Sequence, residues 1–177
     1  SGEGARLADD PRLQPWLGSE QVATLEASFP LHARDPALAE RLLASVAALH
    51  AAGVTILAGT DAGNPGTTHG ASMHGELELL VRAGLSPAEA LNAATAATAR
   101  AFGLDDRGRI APGLRADLLL VEGNPLADIT ATRAIDTVWK NGHAVERVKA
   151  GAAAPAASAP DETLLADFDG DAIDAGV

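Results

Sequence analysis

The chain has 177 residues, enough for one domain with its own core, and 47% of them are apolar but only 3% aromatic, so that core must be built from Ala, Leu and Val. A formal net charge of -11 argues against nucleic acid as a partner, because phosphate binding needs clustered Lys and Arg. The absence of cysteine excludes disulfides and thiolate metal sites.

The opening Ser1-Gly-Glu-Gly4 has neither the basic nor the apolar region of a signal peptide, and no apolar run approaches the roughly 18 residues of a membrane span. The chain therefore reads as soluble, with no membrane partner and its compartment unknown. It also lacks an initiator Met, which raises the expectation that it is a fragment of something longer. Residues 1 to 30 read as a loop and a short helix carrying the patch Val22, Leu25 and Phe29. Asp35-Pro36 then supplies an N-cap and a first-turn proline, Leu38, Leu42, Val46 and Leu49 follow at helical spacing, and Gly53 closes the helix.

Val54-Thr-Ile-Leu-Ala-Gly-Thr-Asp61-Ala-Gly-Asn-Pro-Gly66 is the most informative stretch. Its apolar run lacks polar alternation and predicts a strand buried on both faces, as in a parallel sheet. Chemistry in such sheets and barrels sits at the carboxyl ends of strands, where Asp61 stands among glycines that let a ligand come close. A second helix is expected from Met73 to Ala83, stopped by Gly84. Ser86-Pro87-Ala88-Glu89 is a capping box with proline at the first helical position, and it predicts one Ala-rich helix running to Phe102.

Beyond Gly103 the pattern changes. Leu118 to Val121 and Ile135 to Lys140 read as strands, and Asn141-Gly142 signals a type I′ hairpin leading into a third strand from His143 to Val148. Three short strands are few for an independent sheet core. Residues 150 to 160 form a Gly-Ala-Pro-Ser linker, and the tail from Asp161 carries six acidic residues and no basic one.

Asp61 is the leading candidate for chemistry. A turn or cap aspartate is the plain reading. His69, His74 and Glu76 follow closely, and a carboxylate with imidazoles at a strand end suits a divalent ion such as zinc. Such a carboxylate can also accept a proton from metal-activated water. His69 and His74 are five positions apart, not the four that align two imidazoles on one helical face, so substrate contact or orientation of Asp61 is the better expectation for both. His32 and His50 read as structural or exposed, and His143 sits beside the hairpin. Asn64 to Thr68 could cradle a phosphate, but it lacks the Lys and Ser/Thr of a P-loop. Asp167-Phe-Asp169-Gly-Asp171 only superficially matches a calcium loop.

Three blocks, in order, resemble the closing segment of the amidohydrolase superfamily. They are Gly53-Val-Thr-Ile-Leu-Ala-Gly-Thr-Asp61 with His69-Gly70 through Glu76-Leu-Glu-Leu-Leu80, then Gly84-Leu-Ser-Pro-Ala-Glu-Ala-Leu-Asn-Ala-Ala-Thr95, then Gly108-Arg-Ile-Ala-Pro-Gly-Leu-Arg-Ala-Asp117-Leu-Leu-Leu-Val-Glu-Gly123. The stretch from about 36 to 148 is most similar to the imidazolonepropionase-like and Xaa-Pro-dipeptidase-like metal-dependent hydrolases.

The resemblance implies an α/β fold: the C-terminal part of a (β/α)₈ barrel over residues 1–103, strands of a small composite β-sandwich over 104–149, and a linker with an acidic tail over 150–177. Residues 54 to 59 would be the eighth barrel strand. Asp61 would be a metal ligand and the general base, with His69 and His74 lining the substrate pocket. The implied cofactor is a divalent metal, zinc foremost. The implied partners are a small amide-type substrate, the missing N-terminal barrel portion and, as an open arrangement, a second copy in a homo-oligomer. The superfamily's His-x-His pair is absent from this sequence. Leu164-Leu-Ala-Asp-Phe-Asp-Gly170 resembles the first strand of a β-sandwich domain appended to such hydrolases. The expected function is hydrolysis of a non-peptide or dipeptide carbon–nitrogen bond, with autonomous catalysis by this chain not expected. The alternatives are a non-catalytic half-barrel module that needs a complementary chain, or a phosphate-binding α/β unit.

Overall fold

The computed structural model describes residues 3–29 and 37–152. Asp35-Pro36, His32, most of the linker and the acidic tail lie outside these residues, and with them the cap, calcium-loop and appended-strand readings.

Three short helical pieces open the chain: α1 (Glu3–Ala8), a 3-10 turn (Gln14–Trp16) and α2 (Ser19–Glu26). This is more helix than the scattered prolines suggest. Pro15 falls at the start of the 3-10 turn, where its missing N–H costs nothing, and Gln21 reaches back to the Gly18 amide at 2.9 Å to cap α2. Leu7, Ala8, Leu13, Leu17 and Leu25 bury against one another and against Ala71, with Val22 packed alongside. Phe29 stays largely exposed.

Helix α3 (Leu38–Ala51) follows the anticipated spacing and is ended by Gly53 at φ 76°. Helix α4 (Ala71–Arg82) ends as anticipated at Gly84, φ 105°. The single helix expected from the Ser86 box is instead two, α5 (Pro87–Ala94) and α6 (Ala96–Ala101). The Ser86 box itself forms, with Ser86 and Glu89 capping each other. The break at Thr95 combines one long-range bond with local side-chain bonds. The Ala93 carbonyl accepts the Ala58 amide at 3.1 Å and the Thr98 hydroxyl at 2.6 Å, and the Thr95 hydroxyl folds back on the Leu91 carbonyl at 2.7 Å. Gly108 then packs against the junction so closely that a Cβ there would overlap Ala99.

The main correction concerns residues 54 to 59. They form no strand and pair with no neighbour among the described residues. Val54 is 48% exposed, and only Ile56 and Ala58 pack on the second core of Leu77, Leu80, Leu85, Ala90, Ala93 and Ile129. A strand needs a ladder; here the Val54 amide bonds Leu49, the Ala58 amide bonds Ala93 and the Gly59 amide bonds Glu76.

The remaining strands make one antiparallel sheet in the order β1 (Leu118–Val121), β2 (Ile135–Lys140), β3 (His143–Ala144), with a 3-10 helix (Ile129–Arg133) between the first two. Leu118 faces Trp139 and Leu119 faces Val138, and a bulge falls between Leu120 and Val121. Asn141 and Gly142 both have positive φ, 51° and 80°, as a type I′ turn requires. The third strand is shorter than expected. After Val145 the chain leaves β2: Arg147 stacks over the Trp16 ring at 3.9 Å, and the Ala150 amide bonds the Pro15 carbonyl at 2.9 Å. No helix among the described residues is long and apolar enough to cross a membrane.

Candidate active site

Asp61 sits where the apolar segment ends, in the left-handed region at φ 48°. Aspartate tolerates that conformation better than most residues, but something must hold it there. The following loop does. The Asn64 side-chain amide donates to Asp61 Oδ2 at 2.8 Å and to the Asp61 carbonyl at 3.1 Å. The Thr67 hydroxyl donates to the same carbonyl at 3.1 Å. The Gly63 and Thr67 amides close the loop on Thr67 and Asn64 carbonyls at 3.3 and 2.9 Å, and the Gly66 amide reaches out to Thr24 of α2 at 2.8 Å. These amides point into the protein, so the phosphate-cradle reading of Asn64 to Thr68 finds no open nest.

His69 is exposed in the turn before α4. Gly70, at φ 79°, swings the chain from that turn into the helix. His74 is buried within α4, with Nδ1 3.1 Å from the Thr132 hydroxyl. That hydroxyl donates its single proton to the Ile129 carbonyl at 2.8 Å, so the imidazole must donate from Nδ1. Burial, reinforced by the nearby Arg133 charge, pushes the His74 pKa down to about 4, so the ring is neutral near pH 7. Grouped with His69 as pocket-lining in the sequence reading, His74 occupies an interior position against the 3-10 helix. Among the described residues no three of His, Asp and Glu come together to hold a metal.

Glu76, only noted in passing from sequence, is the second carboxylate near the segment's end. It accepts the Gly59 amide at 3.4 Å, and burial raises its pKa despite that bond. A small cavity of about 70 Å³ lies between α1, the Asp61 loop and α4, lined by Thr60, Gly66, Thr67, Ser72 and Glu76 among others. Substrate pockets usually enclose about 300–1,000 Å³, so a substrate here needs further walls. A larger cavity, about 540 Å³ between α3 and α4, is lined by Leu42, Leu43, Val46 and Leu79 and touches neither Asp61 nor His69.

A buried charge cluster went unread in the sequence because its members are far apart in the chain. Asp10 accepts a two-pronged bond from Arg12 at 3.0 and 2.8 Å and a third from Arg133 at 2.9 Å, while Glu78 bonds Arg133 and Arg6. The Arg12 guanidinium, opposed by burial and aided by Arg133, holds the Asp10 carboxyl well below the usual carboxylate range. The cluster ties α1 and its following loop to α4 and the 3-10 helix.

The model of the amidohydrolase family matches residues 21–145, the span that holds Asp61, both histidines and the three-stranded sheet. The chain belongs to the amidohydrolase family. An imidazolonepropionase from Deinococcus deserti is 37% identical over 135 residues, covering 74% of this chain and 32% of its own length. Among solved structures, a Xaa-Pro dipeptidase with bound methionine in its active site matches at a TM-score of 0.58 and 28% identity, over 81% of this chain and 32% of that one. Phenylurea hydrolase B matches at a TM-score of 0.55 and 34% identity, over 58% of this chain and 26% of that one. The chain thus spans about a third or less of the length of these relatives.

Amidohydrolases are typically metal-dependent, and the fit of this chain to a metal is partial. Asn64 bonds Asp61 Oδ2, and among the described residues nothing bonds Oδ1, which can serve as one ligand. A catalytic zinc usually takes three protein ligands, and the described residues of this amidohydrolase chain do not assemble them.

Proposed function

We propose that this chain is the C-terminal portion of a metal-dependent amidohydrolase that cleaves an amide-type carbon–nitrogen bond, with Asp61 as metal ligand and general base. The observation that carries the reading is the setting of Asp61. Inside the family match, it ends an apolar segment, is held in a left-handed conformation by its own loop, and keeps one carboxylate oxygen open. Non-glycine residues held in such conformations cluster at functional sites.

When bound, a divalent metal, zinc foremost, would supply Lewis-acid activation of water. Asp61 would contribute Oδ1 as a ligand, take the proton of the attacking water and pass it to the leaving nitrogen. His69, exposed one short loop away, would contact the substrate. His74 is better suited to shape the interior behind the site. Residues 54 to 59 would be the eighth strand of a (β/α)₈ barrel; the half-exposed Val54 and the lack of a strand partner among the described residues support a role that needs neighbouring strands supplied by the rest of the barrel. In the same reading, residues 1–103 belong to the barrel and 104–149 to a composite sandwich. The half-exposed Leu119 and Leu120 on β1 would then pack against the sandwich's other share.

The names of the relatives set a substrate panel: imidazolonepropionate, a Met-Pro dipeptide and a phenylurea. In the complete hydrolase that carries this chain, Asp61→Asn should lower turnover on whichever panel member is accepted by at least about 1,000-fold, leaving the fold intact by circular dichroism. Asn keeps the shape but cannot take the proton. Near wild-type turnover would remove Asp61 from the chemistry and leave it as a turn residue.

A further inference from the structure

We infer that Asn64 is a positioning residue for Asp61: its side-chain amide fixes which carboxylate oxygen faces the reaction. This rests on the reading of Asp61 above and assigns the residue that makes that carboxylate usable.

The geometry is specific. Asn64 Nδ2 lies 2.8 Å from Asp61 Oδ2 and 3.1 Å from the Asp61 carbonyl oxygen. Both neighbours are acceptors only, so the amide must turn its nitrogen to them; the opposite flip would set oxygen against oxygen. Two donors of one rigid group thereby hold both the side chain and the backbone of Asp61. The bond to Oδ2 leaves Oδ1 as the oxygen without a partner. A carboxylate on an exposed loop otherwise turns freely about its side-chain torsions, and each rotation exchanges its two oxygens.

Asn64 is itself fixed. Its carbonyl accepts the Thr67 amide at 2.9 Å, and Pro65 limits the backbone that follows. The loop is anchored from outside by the Gly66 amide on the Thr24 carbonyl at 2.8 Å. Three contacts from Asn64 and Thr67 therefore hold Asp61 in its left-handed conformation. Thr67 acts on the Asp61 main chain alone; the side-chain bond is specific to Asn64.

The test uses the complete hydrolase stripped of metal with a chelator, titrated with zinc in competition calorimetry, and assayed after reloading on the three-substrate panel. Two variants separate donation from shape: Asn64→Ala removes the amide, and Asn64→Asp keeps its outline but loses the donor. Both should weaken zinc binding and lower kcat by about 10- to 100-fold, as loss of a ligand's hydrogen-bond partner typically does. KM should stay within about threefold, and Asn64→Asp should fall at least as far as Asn64→Ala. Asn64→Gln, which retains the donor on a longer arm, should recover part of both losses. If Asp61→Asn is impaired while Asn64→Ala and Asn64→Asp keep wild-type zinc affinity and kcat, the positioning role is overturned and the Asp61 reading stands. A loss in Asn64→Ala with none in Asn64→Asp would also overturn it, because shape alone would then suffice. If Asp61→Asn itself keeps zinc affinity and turnover, both fall together.

Discussion

His74 illustrates how little a residue's name fixes its role. Beside His69 in the sequence it suggests a pocket pair; in the fold it is buried, neutral and a donor to Thr132. Its pKa of about 4, against an ordinary 6.5, has a consequence for stability. Between those values the unfolded chain binds a proton that the folded chain does not, so stability falls as pH drops through that window. Lowering the pH from 7 to 5 should cost about 2 kcal/mol through this residue, and urea unfolding of His74→Gln should show that part of the pH dependence removed. An unchanged slope in the variant would mean that the ring is solvated in the folded state. Asp61 was legible because an apolar run stopping at a carboxylate among glycines is a local pattern. Asn64 was read only as part of a weak phosphate loop, because its bond to Asp61 depends on a left-handed turn that no composition announces. The Asp10–Arg133 contact spans 123 positions and could not be read from spacing at all.

At the scale of elements, local signals served well and tertiary ones poorly. The Ser86 capping box, Gly53 and Gly84 as helix ends, and the Asn141-Gly142 hairpin all rest on chemistry within four or five residues, and the structure forms each of them. The split at Thr95 depends on Ala58 reaching across to Ala93, and the short third strand depends on Arg147 finding Trp16. Segment 54 to 59 has strand composition but no strand beside it, and pairing rather than propensity decides such cases. The N-terminal helices were read most loosely, yet they brace the Asp61 loop. A Cβ on Gly4 would overlap the carbonyl oxygens of Gly66 and Leu25. Gly4→Ala should therefore destabilise the chain by about 1–3 kcal/mol. Gly59→Ala, with nothing within 4 Å of its added Cβ, should be close to neutral in the same denaturation series. Equal stability for the two variants would show that α1 does not press on the loop.

At the scale of the molecule, the chain covers about a third or less of the length of its relatives. The buried Asp10–Arg12–Arg133–Glu78 cluster and two apolar cores hold the pieces together, but the Asp61 corner opens to solvent, where a metal's charge is screened. We propose that Asp61 supplies one ligand of a centre whose other ligands come from outside this chain. Calorimetric titration of the purified 177-residue chain with zinc is the decisive test. Binding should be weaker than about 1 µM, near -8 kcal/mol, with no hydrolysis of the substrate panel. Stoichiometric binding tighter than that, abolished by Asp61→Asn, would contradict it and show that the chain assembles a metal centre by itself.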